Sequence, residues 1–260
     1  MKNYLLLLGV LFACGMLAPN LSLAQPCVEL GTPTGQLSPV LKSSGGVCGP
    51  AAVATNVCDC PPGFVAVGYE GEEGNQWGAM VLSNFTLRCR QLNQDGSLGA
   101  SVSVTCANGT GAGNTVDGPV DAAAGQALVG FEVRIGCAVD AIMGESKPVA
   151  DIAAGLPNST SNAVPAIGGT GGSSQPVMYV PDGNVIVGMQ TYEDPNTNLS
   201  GGVAWRYAPI VACASTCSVT GITASNLSAC DNNGTDDVAF DDTFTADVTV
   251  TFSNAPATGQ

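Results

Sequence analysis

The chain has 260 residues, a formal net charge of −14, eleven cysteines and no histidine. So acidic a protein is not expected to seek nucleic acid or anionic membranes, because phosphates are held by Lys and Arg, and only seven of these are present. Without histidine there is no Ser-His-Asp or Cys-His catalysis, and the composition points away from an enzyme.

Residues 1–24 read as a secretory signal. Lys2 gives the charged start, residues 4–17 the apolar core, and Ser22-Leu23-Ala24 a small-residue cleavage site before Gln25. The apolar core is too short for a membrane span of ~20 residues. Leu11-Phe12-Ala13-Cys14 could also be read as a lipoprotein box, but Phe12 is bulky for that role and the apolar run continues past Cys14. Export to the extracellular space or cell surface is therefore expected. Export leaves Cys27, Cys48, Cys58, Cys60, Cys89, Cys106, Cys137, Cys213, Cys217 and Cys230. An even number in an exported chain implies a disulfide framework, whose pairing the sequence leaves open. A zinc cluster is disfavoured, since there is neither a histidine nor a C-x2-C pair.

Residues 25–47 form a Cys-containing lead-in with little periodicity. A repeat follows: Gly63-Phe-Val-Ala-Val67-Gly68-Tyr69-Glu70, Gly125-Gln-Ala-Leu-Val129-Gly130-Phe131-Glu132 and Gly183-Asn-Val-Ile-Val187-Gly188-Met189-Gln190. The copies start 62 and then 58 residues apart, and repeats of this kind govern the whole fold reading. Each alternates as a half-buried strand. Val65, Val67 and Tyr69 are expected inward, as are Ala127, Val129, Phe131 and Val185, Val187, Met189, with Glu70, Glu132 and Gln190 on the other side. A glycine inside each strand marks a bulge or a close approach of another backbone.

Glu70-Gly-Glu72-Glu73-Gly-Asn reads as a solvated hairpin tip, although a two-carboxylate glycosidase remains formally possible, using for example Glu70, Glu72 or Glu73. Alternating strands are expected over residues 81–89 and 101–106, joined by the turn Gln94-Asp95-Gly96-Ser97. Residues 108–118 and 155–176, rich in Gly, Ser, Thr, Asn, Ala and Pro, are expected as surface connections. The third repeat closes with a strand through Val203, Trp205 and Tyr207. From residue 213 the texture changes. Phe244, Ala246, Val248, Val250 and Phe252 alternate strictly with polar residues, and about 45 residues with one or two strands cannot bury a core alone. Residues 213–260 are thus expected to open a truncated β-sandwich module.

Two resemblances follow from these residues. Cys60-Pro-Pro-Gly63-Phe-Val-Ala-Val67-Gly68-Tyr69, with Leu82-x4-Leu87-Arg88-Cys89 after it, resembles the vitelline membrane outer layer protein I family of disulfide-bonded, secreted β-prisms. Phe131-Glu-Val-Arg134-Ile-Gly136-Cys-Ala-Val139-Asp140-Ala141-Ile142 is similar to the G-x3-D sugar loop of jacalin-like lectins and the strand after it. Cys137 inside the loop departs from that pattern, and the first and third repeats lack it. The stretch from Cys217 onward resembles Ig-like modules of bacterial surface proteins. These likenesses imply an all-β chain: a three-fold β-prism of three Greek-key repeats over residues 48–212, followed by the partial Ig-like sandwich.

The candidate carbohydrate site is Gly136, Ala138, Val139 and Asp140. A glycine allows the tight turn, a carboxylate accepts sugar hydroxyls, and the amides beside it donate to them. The other reading is that Gly136 only makes a turn and Asp140 caps it. Asp231, Asn233, Thr235 and Asp237 place oxygens at alternate positions around a Gly bend, as a calcium loop does, with Asp241 and Asp242 nearby. A plain acidic loop fits equally, and no other cofactor is expected. Six Asn-x-Ser/Thr sequons begin at Asn84, Asn108, Asn158, Asn198, Asn226 and Asn233. The functional expectation is a non-catalytic, lectin-like module binding extracellular glycans. The alternative is a structural module of an extracellular coat or matrix, partnered by other matrix proteins.

Overall fold

The computed structural model describes residues 27–33, 35–42, 52–76, 78–106, 115–194, 199–213, 218–229, 243 and 245–253. It divides into two units, Met1–Cys213 and Ala214–Gln260.

In the first unit the lead-in supplies two short strands, β1 (Val28–Leu30) and β2 (Leu41–Lys42), and β3 (Val53–Asp59) precedes the first repeat. That repeat forms a hairpin of β4 (Phe64–Gln76) and β5 (Ala79–Leu92), extended by β6 (Leu98–Cys106) and β7 (Thr115–Asp121). The second forms β8 (Gln126–Ile135) and β9 (Val139–Pro148), followed by a one-turn helix α1 (Val149–Ala153) and a 3-10 turn, Asn158–Thr160. Four short strands come next: β10 (Asn162–Ala163), β11 (Ile167–Gly168), β12 (Ser173–Ser174) and β13 (Met178–Tyr179). The third repeat forms β14 (Asn184–Glu193) and β15 (Ser200–Ala212).

Each repeat hairpin is the centre of its own antiparallel sheet. The orders are β6-β5-β4-β7, then β10-β9-β8-β12 with β11 on β9 and β13 on β8, and β1-β15-β14-β3 with β2 on β15. The chain is therefore all-β, and its three sheets share one hydrophobic core. Equivalent residues of the repeats meet there. The Tyr69 and Phe131 rings lie 5.3 Å apart, and Phe131 stacks on Trp205 at 3.9 Å. Met189, in the place of those two aromatics, pairs across the hairpin with Trp205. Aromatic pairs contribute about 0.5–1.5 kcal/mol beyond the area they bury.

The repeat glycine is a bulge in all three sheets. Register slips between Ala66 and Gly68, between Leu128 and Gly130, and between Ile186 and Gly188. The skipped residue is each time the valine before the glycine. An extra residue in one strand bends it and moves the alternation to the other face. Straight alternation from Val65 to Tyr69 therefore fails. Ala66 pairs with the buried Cys89 while Val65 pairs with Arg90, and all of residues 65–69 are buried.

The glycine is also needed for space. A Cβ on Gly68 would strike the Asp121 side chain and the Val120 carbonyl, one on Gly130 the Tyr179 ring and the Met178 carbonyl, and one on Gly188 the Asp59 side chain and the Cys58 carbonyl. In each sheet the neighbouring strand runs across this gap.

Three expectations are corrected. Residues 115–118 of the expected 108–118 connection belong to β7, which pairs with β4. Residues 70–75 are not a hairpin tip but belong to β4, where Glu72 pairs with Ser83 and Glu73 with Leu82. Residues 155–176 are not a free connection either: β10 and β11 pair with β9, β12 pairs with β8, and Val164 and Ile167 are buried. Their small residues lie flat on the second sheet, anchored by the buried Lys147, whose Nζ donates to the Pro157 carbonyl at 2.6 Å and to Thr160 Oγ1 at 2.7 Å.

Disulfides join Cys27 to Cys213, Cys58 to Cys106 and Cys60 to Cys89, and Cys137 is disulfide-bonded as well. Cys48, Cys217 and Cys230 lie outside the described residues. The Cys58 and Cys60 bonds tie β3 of the third sheet, and the residue after it, to β6 and β5 of the first. The Cys27–Cys213 bond closes the first unit end to end, over a separation of 186 residues.

In the second unit β16 (Ser218–Ser225) and β17 (Asp247–Ser253) form an antiparallel pair. Ile222, Val248 and Val250 of this pair are exposed. Among the described residues, no helix is long and apolar enough to cross a membrane.

Candidate functional site

The 136–140 loop is the tight turn between β8 and β9. The Gly136 N–H donates to the Ala138 carbonyl at 3.0 Å, and Gly136 itself is exposed. Ala138 and Val139 are buried, and Asp140 is only 4% exposed. The reason is residues 168–172, which lie across the Asp140 side chain. The Asp140 carbonyl accepts the Gly169 N–H at 2.8 Å, and a Cβ on either Gly171 or Gly172 would strike the Asp140 carboxylate. Burial pushes this carboxyl above its ordinary value, against the lowering effects of the Gly136 N–H and the Arg134 charge.

Arg134 holds the same strip from outside. Its Nε donates to the Gly171 carbonyl at 2.9 Å, and its Nη2 to Thr170 at 3.0 Å and Gly172 at 3.1 Å. This arrangement braces a backbone strip. It does not present the carboxylate to an outside molecule. Beside Gly136 a shallow cleft of about 330 Å3 opens, bordered by Lys42, Ser173 and Gln175.

The proposed calcium ligands Asp231, Asn233, Thr235 and Asp237 lie outside the described residues, as do Asp241 and Asp242. The carboxylates of β4 have local partners. Glu72 accepts Asn84 Nδ2 at 2.8 Å, and Glu73 is pushed up first by burial and then by the charge and hydrogen bond of Asp117. Of the sequons, Asn158 is fully buried, with Nδ2 donating to the Val180 and Pro181 carbonyls at 2.9 and 3.1 Å.

A second opening lies on the first sheet, where sequence patterning gave no sign of a site. It is a trough of about 410 Å3 along β5 and β6, walled by the turn that leads from β7 into β8. Register places Asp121, Gly68, Arg88 and Ser103 in one row across four strands, with Arg90 opposite Ser101 nearby. Arg88 grips Asp121 through two bonds of 2.6 and 3.1 Å, spanning the glycine between them. The one available signal was the repeated glycine, and it announces a gap without saying what borders it.

No protein-family model and no curated protein matches this chain.

Proposed function

We propose that the chain is an exported, non-catalytic glycan-binding module whose first unit is a three-fold β-prism and whose second belongs to an Ig-like β-sandwich. The observation that carries the prism is the repeat itself. Three hairpins with the same glycine bulge each centre a sheet, and their equivalent residues Tyr69, Phe131 and Met189 meet in one core. This supports the likeness to the vitelline membrane outer layer protein I family and to jacalin-like lectins. The disulfides suit an oxidising, extracellular setting. The sheets leave clefts at their surface whose linings include polar side chains, and a lectin needs such groups preorganised.

A second reading, a structural coat or matrix module, is favoured by one observation. Asp140, the residue best suited by the lectin likeness to accept sugar hydroxyls, is 4% exposed. A glycan array probed with the full exported chain separates the two. The lectin reading expects a defined set of bound glycans, and an array with none above background leaves the structural module.

A further inference from the structure

We propose that the trough over Gly68 on the first sheet, and not the 136–140 loop, is the docking site, and that it takes a neutral sugar ring; this rests on the glycan-binding reading above. Four features of the trough lead there.

The first is its size. About 410 Å3 lies within the ~300–1,000 Å3 usual for small-molecule sites.

The second is the order of its polar groups. Arg88 and Ser103 are directly opposite each other, as are Arg90 and Ser101, so their side chains share the outer face. Arg88 uses Nε and Nη2 on Asp121, and Arg90 uses Nε and Nη2 on the Gly99 and Leu98 carbonyls at 3.0 and 2.7 Å. Both guanidiniums are thereby fixed in orientation, and each keeps N–H groups for a ligand. The Ser101 and Ser103 hydroxyls are exposed and can donate or accept, and Asp121 retains acceptor capacity. Donors and acceptors side by side match adjacent hydroxyls of a sugar. Of the charges lining the trough, Arg88 is offset by its ion pair with Asp121 and Arg90 is capped by two backbone carbonyls, while the Glu70 charge, from outside the lining, also acts on Arg88. That pairing selects a neutral ring over an anionic one.

The third is rigidity. Cys89, between the two arginines in sequence, faces the other way and is bonded to Cys60. The floor under both guanidiniums is therefore pinned to the neighbouring sheet.

The fourth comes from the other two repeats. In the third sheet the same row is Asp59, Gly188 and Arg206, with an ion pair of 3.0 Å, but it ends on Leu37. In the second sheet the row is Tyr179, Gly130, Glu145 and Ala163, and the ion pair is gone. The glycine gap serves the fold three times. Among the described residues, only the first sheet carries a polar row from edge to edge.

The test compares the full chain with Ser103→Trp and Ser101→Trp, which fill the trough from exposed positions, and with Ser173→Trp, which fills the cleft beside Gly136. Each is applied to an array of neutral, sialylated and sulfated oligosaccharides, with thermal melts to establish folding. The expected result is binding of neutral members by wild type and Ser173→Trp, with at least a tenfold loss in a folded trough variant. Undiminished binding by a folded Ser103→Trp or Ser101→Trp variant overturns the trough while leaving the glycan-binding reading intact. Loss in Ser173→Trp alone returns the site to the loop. Binding restricted to sialylated or sulfated members overturns the neutral ring. No binding by wild type removes the glycan-binding reading and the trough together.

Discussion

Arg134 and Asp140 hold one strip of backbone from two sides. The guanidinium donates to the carbonyls of Thr170, Gly171 and Gly172, and the carboxylate lies under Gly171 and Gly172 with room for no side chain between. The residues of the sugar-loop motif therefore brace the segment that covers them. Because burial raises the Asp140 carboxyl above its ordinary 3.8, the folded state holds this proton more tightly than the unfolded one. Stability from this group is fully present below 3.8 and is lost as pH rises through the folded-state value. Glu73, also raised, acts in the same direction. We expect Asp140→Asn to match wild type near pH 3 and to melt at the same or a higher temperature at pH 7. Thermal melts from pH 3 to 7 check this, and a variant clearly less stable at pH 7 would contradict it.

Tyr69 joins the first sheet to the second. Its hydroxyl donates to the Pro165 carbonyl at 2.7 Å and accepts the Gly144 N–H at 2.6 Å, and burial pushes its phenol up. Tyr69→Phe leaves both groups without this partner inside the protein. Each buried unsatisfied group costs about 1–3 kcal/mol, so the midpoint of chemical denaturation should fall with the slope unchanged.

The bulge glycines should respond alike although they belong to different sheets. Gly68→Ala, Gly130→Ala and Gly188→Ala each drive a Cβ into the neighbouring strand's backbone, and overpacking of this kind costs about 1–3 kcal/mol. Gly125→Ala tests another cause, because nothing lies within 4 Å of its Cβ but its φ is +75°. Denaturant titration of the four variants reads these costs. A tolerated Gly130→Ala would mean that the β8–β13 pairing yields easily.

The disulfide framework predicts a thiol-free mature protein. Alkylation under denaturing, non-reducing conditions should add no mass. Loss of the Cys27–Cys213 bond should be the costliest of the three pairs, because in the chain-entropy model closing 186 residues is worth about 5 kcal/mol against about 3–4 for the shorter loops. Melting of the three paired Cys→Ala variants ranks them directly.

Glycosylation offers an independent check of the 155–176 segment. In a eukaryotic host Asn158 should stay unmodified once folded, because its amide is buried and donates to two carbonyls. Peptide mapping that found a glycan on Asn158 would show that the segment is modified before it docks.

The sequence by itself determined the parts that repeat locally. Valine alternation and the glycine at a fixed place in each copy announced three strands, and Asp95-Gly96 announced the turn between β5 and β6. Both signals are written in neighbouring residues, the first acting through side chains buried on one face of a strand and the second through local backbone geometry. Tertiary structure decided what depends on residues far apart in the chain. The slip at Val67, Val129 and Val187 becomes visible only against the paired strand, and the pairing of Cys58 with Cys106 only when β3 of the third sheet lies beside β6 of the first. Residues 155–176 looked free because their glycines and serines carry no hydrophobic period. Their order comes from Lys147, Arg134 and Asp140, which hold backbone atoms that no side-chain pattern records. The same is true of the first-sheet trough. Arg88 and Asp121 are 33 residues apart in sequence, and they meet because Gly68, on the strand between them, has no side chain to keep them apart.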